Sequence, residues 1–185
     1  MALEHSIESF AFYIKEHTVS NKINEEQLRA KGMEPSALYG ELQKGNSVVF
    51  YGEALDPKDY FLDPIEGRSL IIAGDNAKPE ILGEYLEGLD LLVHECTYTQ
   101  EDYDHLQVKV MHSTAKDLGI AVQKRGVKNL IATHINPRYN KKSAHGVEVV
   151  YNEIAQYYKG SVFIADDLDL YQLDRESVIE KISLK

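Results

Sequence analysis

Three short, mostly apolar runs constrain this chain more than any other feature: Ser69–Ala73, Leu89–Val93 and Leu130–Ala132. Each is a strand's length, and each runs into a carboxylate or a histidine followed by turn residues: Gly74-Asp75-Asn76, His94-Glu95-Cys96-Thr97 and Thr133-His134 before Asn136-Pro137. Helical patterns separate them. Pro79 suits a first helical turn, and Ile81, Leu82, Tyr85, Leu86 and Leu89 give that helix an apolar face. Thr114 with Asp117 three residues on reads as a helix start, Ala115, Leu118, Ala121 and Val122 as its inner face, and Gly126 as its stop. Strands alternating with helices predict an α/β fold with a parallel sheet. In such sheets ligands bind beyond the C-terminal ends of the strands, where the polar residues fall. With 185 residues the chain is long enough for one domain with a real core.

The remaining segments extend this frame. Ile7–Ile14 alternates in character and reads as a strand, with His5 two residues before it. Glu16 to Asn46 is charged and carries helical patterns at Glu25–Lys31 and Ala37–Lys44, punctuated by Gly32, Pro35 and Gly45. An excursion of that length in a compact domain is either a functional, mobile insertion or a solvated helical hairpin. Ser47–Tyr51 reads as a short strand, Thr99–Lys109 as a polar loop or weak helix, and Ser143–Tyr158 as a helix ended by Gly160. Val162–Ala165 and Leu168–Leu173 read as closing strands, and residues 174–185 as a terminal helix or a loose tail.

Charge and cysteine content limit the chemistry. A net charge of −10 and a pI near 5.1 argue against broad nucleic-acid binding by bulk charge. Cys96 is the single cysteine, so no intramolecular disulfide and no zinc-finger-type site can form within one chain. A metal site must draw on the 7 histidines and the carboxylates. No run approaches a membrane span and no signal peptide is visible, so the expected location is the cytoplasm. Taken singly, His5 reads as an exposed residue near a terminus, and His134 equally well as a capped loop residue. Taken together, His5, Asp75, His94-Glu95, His112 and His134 gather at strand ends or helix starts, and imidazoles with carboxylates suit zinc or manganese. Arg138 adds a fork for phosphate oxygens.

The segments His5 to Tyr13, Gly74-Asp75, His94-Glu95-Cys96-Thr97, His112-Ser113-Thr114 and Thr133 to Tyr139 resemble, in order and approximate spacing, those of tRNase Z (ribonuclease Z), the tRNA 3′-processing endonuclease of the metallo-β-lactamase fold. The resemblance extends to about Leu173. It implies the C-terminal half of a metallo-β-lactamase αβ/βα sandwich, with residues 17–47 as an inserted, flexible tRNA-gripping arm. It also implies site roles. His5, Asp75 and His134 match metal ligands, with Asp75 bridging a zinc pair. His112 matches the histidine that assists the departing 3′ oxygen, and Glu95 its orienting carboxylate. Arg138, Ser113 and Thr114 match phosphate- or substrate-binding positions.

The departures are as specific. The family's main metal motif, His-x-His-x-Asp-His, is absent: none of His17, His94, His105, His112 or His145 has another histidine two residues away. The arm's tip reads Glu34-Pro35-Ser36-Ala37 where the family has Pro-Pro-Gly-Pro, and Asn76 stands where it usually has Thr. A half-fold would expose an apolar sheet face, so a homodimer or a complex with a separate N-terminal half is expected. Zinc binding by this chain alone is expected to be weak. Two functions remain: a zinc-dependent tRNA 3′-processing endoribonuclease that this chain only partly encodes, and a non-catalytic truncated paralogue acting as a homo-oligomeric structural or binding protein. Another hydrolase of the same fold is a third reading, opposed by His112-Ser113-Thr114 and the arm.

Overall fold

The computed structural model describes residues 1–139 and 146–183. It divides into two compact units, residues 1–15 with 68–185, and residues 16–67.

The larger unit is built on a five-stranded sheet in the order β1-β4-β5-β6-β7, formed by Ala11–Lys15, Ser69–Ala73, Leu91–Glu95, Asn129–Thr133 and Ser161–Ile164. Strands β4 to β7 run parallel, and β1 closes one edge antiparallel to β4. The fold class is therefore the α/β expected from the alternating pattern.

Period-two alternation explains which face each residue serves. Ile71, Ala73, Leu92, Leu130 and Ala132 turn to one side and bury against Leu118 and Val122 of α4 (Ala115–Lys124) and Val150 and Ile154 of α5 (Glu148–Tyr157). Each fully buried aliphatic side chain there contributes roughly 1.5–3 kcal/mol. Thr114 caps α4 by accepting from the Asp117 N–H, and Gly126 takes the left-handed position after it, φ 64°.

The opposite face is only partly covered. Leu91, Ile131 and Phe163 pack there with Tyr171, Leu173 and Ile179 of a hairpin, β8 (Leu170–Leu173) and β9 (Ile179–Ile182). Residues 174–183 are thus neither a helix nor a loose tail. Ile179 is buried, and a polar alternating stretch forms a strand because its one inward residue meets an apolar sheet. Toward β1 nothing equivalent covers the face among the described residues: Phe12, Ile14 and Ile72 share it and are 65%, 48% and 47% exposed.

Three further expectations are adjusted. Strand β1 starts at Ala11, and Met1–Leu3 folds back along Ser9–Ala11. The helix after Pro79 is a 3₁₀ segment broken at Gly83, whose φ of 54° no helix allows. The last helix begins at Glu148 among the described residues, and the expected start at Ser143 lies outside them.

The smaller unit holds α1 (Glu25–Ala30), α2 (Ala37–Gln43) and the hairpin β2 (Val48–Phe50)–β3 (Glu53–Leu55). It has its own core of Ile23, Leu28, Met33, Tyr39, Leu42, Val48, Leu55 and Tyr60. The excursion therefore extends past residue 47 to Gly67 and buries apolar surface of its own.

Asp90 clamps the larger unit at the N-terminal end of its strands. Its carboxylate accepts from the Ser69 N–H (2.7 Å), Lys128 Nζ (2.7 Å) and Ser177 Oγ (2.6 Å), joining β4, β6 and the β8–β9 turn. Burial pushes its pKa up, but the hydrogen bonds from Lys128, Ser177 and Ser69 outweigh it and leave the carboxyl below its ordinary value. A depressed folded pKa gives stability that is present above the unfolded value and lost as pH falls through the folded one. Asp90→Asn should cost about 1–3 kcal/mol at neutral pH. Below about pH 4 the urea midpoints of variant and wild type should converge.

Candidate metal centre

The site is assembled at the C-terminal ends of β4, β5 and β6. Strand β4 ends in Gly74, whose N–H donates to the Phe10 carbonyl at 3.1 Å. A Cβ at this position would lie 2.8 Å from Ser9 Oγ. The glycine lets the chain pass close to Ser9 and Phe10, so that Asp75 stands just beyond the sheet.

Asn76 is fully buried and fastens the segment that carries His5. Its Oδ1 accepts from the N–H groups of Glu4 (3.2 Å) and Lys78 (3.3 Å), and its Nδ2 donates to the Lys78 carbonyl (3.0 Å) and His94 Nε2 (3.0 Å). His94 is therefore a support. It is fully enclosed, Nδ1 lies 2.6 Å from the Glu95 carbonyl, and burial lowers its pKa, so it stays neutral.

The Glu95 carboxylate is 1% exposed and surrounded by donors. Oε1 accepts from the N–H of Asn76 (3.3 Å) and Ser113 (2.6 Å), and Oε2 from the Thr97 N–H (3.1 Å) and hydroxyl (2.8 Å). A buried charge stands only when its lone pairs are filled in this way. His112 faces the same carboxylate, Nδ1 to Oε1 at 3.6 Å, and that buried Nδ1 has no hydrogen-bond partner among the described residues. At that distance the two groups face one another without a hydrogen bond.

His5 and His134 flank Asp75 symmetrically. His5 Nδ1 lies 2.8 Å from the Met111 carbonyl, which can only accept, so the proton sits on Nδ1 and the Nε2 lone pair faces Asp75 Oδ2 at 3.8 Å. His134 Nε2 faces the other carboxylate oxygen, Oδ1, also at 3.8 Å. The rings of His5 and His134 each lie 5.0 Å from that of His112 between them. At 3.8 Å these are not hydrogen bonds. They are a little wider than the ~3.4 Å that separates two ligands on a tetrahedral zinc. His5, Asp75 and His134 are therefore donors that would hold a cation, with the Nε2 lone pair of His5 and Nε2 of His134 turned toward the carboxylate. Two overlapping groups have ligand atoms within 4.8 Å of one another: His5 with Asp75 and His112, and Glu95 with His112 and His134. Neither offers the closed ligand set of a tight structural zinc site.

His134 holds a backbone conformation its residue type resists, φ 53°. A non-glycine there costs on the order of 1–3 kcal/mol and persists where surroundings impose it. After it the chain turns through Asn136 into a 3₁₀ turn, Pro137–Tyr139, anchored by buried Tyr139. The Tyr139 hydroxyl donates to Asp102 (2.5 Å) and accepts from the Thr99 N–H (2.9 Å), and burial with the Asp102 bond pushes its pKa up to about 12.

Other expected residues are engaged elsewhere. Arg138 pairs with Asp102 at 3.2 Å and lies over the Tyr98 ring. Ser113 and Thr114 are buried: the Ser113 hydroxyl donates to the Glu95 carbonyl, and that of Thr114 donates to Gln100 while capping α4. Both hydroxyls are engaged within the fold, that of Ser113 with a backbone carbonyl and that of Thr114 with the Gln100 amide oxygen and the Asp117 N–H. In the sequence alone nothing assigns a role to Thr97, and Asn76 stands out only as a departure from the family pattern. A buried amide or hydroxyl gives no periodic signal, and proximity to Asp75 and His94-Glu95 was the one available hint.

An α/β unit with a histidine–carboxylate cluster at the C-terminal edge of its parallel strands is the class this fold and site define. No protein-family model matches the sequence. Among curated proteins, ribonuclease Z of Marinobacter nauticus is 35% identical over 187 residues, covering 98% of this chain and 57% of the relative. Ribonuclease Z of Pseudomonas putida is 34% identical over 182 residues (97% and 57%), and that of Methanosarcina acetivorans 30% over 165 (89% and 52%). The chain belongs to the ribonuclease Z family over nearly all of its own length, and spans about half the length of the curated relatives it matches. A solved metallo-β-lactamase fold protein, YhfI from Bacillus subtilis, aligns with 53% of this chain and 37% of its own at 20% identity and a TM-score of 0.41.

The strain at His134 is separable from its donor role. His134→Gly and His134→Ala both remove the imidazole, but only glycine tolerates the positive φ. The glycine variant should be the more stable by about 1 kcal/mol in urea unfolding.

Proposed function

We propose that this chain carries one side of a zinc-dependent phosphodiesterase site that removes 3′ extensions from tRNA precursors, and that a further polypeptide segment supplies the other side. The observation that supports it most is the placement of His5 and His134 with their Nε2 lone pairs toward the two oxygens of Asp75, beside His112 and its buried Glu95. Zinc held there supplies Lewis-acid polarisation of a phosphoryl oxygen and a nucleophile at neutral pH. The chain's own residues do the rest. Asp75 holds one negative charge between two imidazoles. His112 delivers a proton to the departing 3′ oxygen, and Glu95 orients it through Nδ1.

In the chain alone each prospective cation has one imidazole and one carboxylate oxygen, with His112 beside them, so zinc binds weakly. The completing segment covers the face that exposes Phe12, Ile14 and Ile72. The rest of a ribonuclease Z-length protein meets both needs, ligands and cover, whereas a second copy of this unit offers cover but no His-x-His-x-Asp-His. Arg138 serves as a phosphate contact only on leaving Asp102. The 16–67 unit holds 10 acidic against 5 basic side chains, and Arg29, Lys31 and Lys44 are paired with Glu25, Glu53 and Glu41. Its contact with RNA is therefore weak in electrostatic terms.

The test is cleavage of a 3′-extended tRNA by this chain with zinc, alone and mixed with the N-terminal part of a ribonuclease Z. Activity should appear in the mixture and fall roughly 10²–10⁴-fold with His112→Ala. Zinc content that is unchanged by Asp75→Ala together with His134→Ala would remove the ligand assignment.

Sheet-face cover is checked separately. Phe12→Lys with Ile72→Lys should abolish association in sedimentation, with the mixture's activity, while changing unfolding of the isolated chain by only about 0.5 kcal/mol per site.

A further inference from the structure

We propose that Thr97 is a positioning residue whose hydroxyl fixes the tautomer and the direction of the His134 imidazole. The inference rests on the reading of His134 as a metal ligand, but its central measurement does not need a metal.

The argument is one of proton counting. Thr97 Oγ1 has three polar neighbours: Glu95 Oε2 at 2.8 Å, His134 Nδ1 at 2.9 Å and the His134 carbonyl at 3.2 Å. Two of these, the carboxylate and the carbonyl, can only accept, and the hydroxyl has one proton to give. If that proton went to Nδ1, the hydroxyl lone pairs would face a buried carboxylate at 2.8 Å with no hydrogen between. The proton therefore points at the oxygens, and the contact at 2.9 Å is an Nδ1–H donating to Thr97. A neutral imidazole protonated at Nδ1 bears its lone pair on Nε2, the atom turned toward Asp75.

The placement of Thr97 makes this specific. Its side chain is almost wholly enclosed (3% exposed), so water does not compete for the hydroxyl. Its N–H is also bound to Glu95, and its carbonyl accepts from the Asn136 N–H beyond His134, so the two strand-end loops are tied on both sides of the imidazole. His134 itself is half exposed, and besides its stacking on His112 the Thr97 hydroxyl is the one hydrogen-bond partner of its ring among the described residues. Through Glu95 the same hydroxyl is linked to the carboxylate that faces His112. One threonine thus couples the proton-handling pair to a ligand, the kind of outer support whose loss costs roughly 10–100-fold in metal affinity.

The experiment is long-range ¹H–¹⁵N spectroscopy of the imidazole-labelled full chain at mildly alkaline pH without metal, with the His134→Gly variant assigning the signal. Wild type and Thr97→Ser should show His134 as the Nδ1–H tautomer, the reverse of the preference of free histidine. Thr97→Val, which keeps the shape and removes the hydroxyl, should lose that pattern, and its zinc affinity should fall roughly 10–100-fold while Thr97→Ser stays near wild type. An Nε2–H pattern at His134 in the wild type overturns the proposal even if Thr97→Val does not fold. Thr97→Val that keeps both the Nδ1–H pattern and the zinc affinity also overturns it. A chain that shows the expected tautomers and binds no zinc leaves Thr97 as the positioning residue and removes the metal reading instead.

Discussion

A buried carboxylate is the constraint from which the site follows. Glu95 sits at the end of β5 with almost no exposure, and an ionised carboxyl survives there only if donors fill its lone pairs. Those donors come from three places that must converge: the turn after β4 (Asn76), the turn after β5 (Thr97) and the entry to α4 (Ser113). Holding Glu95 ionised therefore fixes the relative positions of the loops that carry Asp75, His112 and, through Thr97, His134. His5 is brought in by the second use of Asn76, whose side chain binds the backbone before it.

The same loops explain what could be read from the sequence. Strand β4 falls on the expected residues, Ser69–Ala73, because an apolar run buried on one face and flanked by Gly74 has few alternatives. Helix α4 is legible because Thr114, Asp117 and Gly126 mark both of its ends. Strand β8 lies within the expected Leu168–Leu173, whereas β9 is hidden because its sequence is polar and its packing is decided by a distant partner, the sheet face around Leu91 and Ile131. His5, His112 and His134 stand out in the sequence because residues able to bind a metal or move a proton recur near strand ends and helix starts, and the structure places the rings of His5 and His134 each 5.0 Å from that of His112. Ser113 and Thr114 look the same in sequence, yet structural needs claim both hydroxyls, and only three-dimensional bonding separates the two cases.

Two independent incompletenesses point the same way. One is energetic: Phe12, Ile14 and Ile72 leave apolar surface in water on a sheet whose other face packs on α4 and α5. The other is chemical: the imidazoles and carboxylates gathered at the strand ends could hold a cation but offer no closed ligand set. A purely structural homo-oligomer accounts for the first and leaves the second without purpose. The chain is related to ribonuclease Z over almost its whole length and spans about half the length of those relatives, and the function proposed above addresses both.

The energetic cost within the site also has a direction. A left-handed residue is tolerated at His134 although glycine or asparagine would sit there with less strain. The left-handed turn ends β6 abruptly and brings Nδ1 within reach of Thr97 while Nε2 faces Asp75. A β-conformation would carry the chain onward and separate the imidazole from both. The strain and the hydrogen bond are thus two sides of one device. The backbone gives up about as much as a buried hydrogen bond to a charged network returns, and the balance is a ring held in one direction. Preorganisation of this kind matters most in a site with few donors, because each must already be in place.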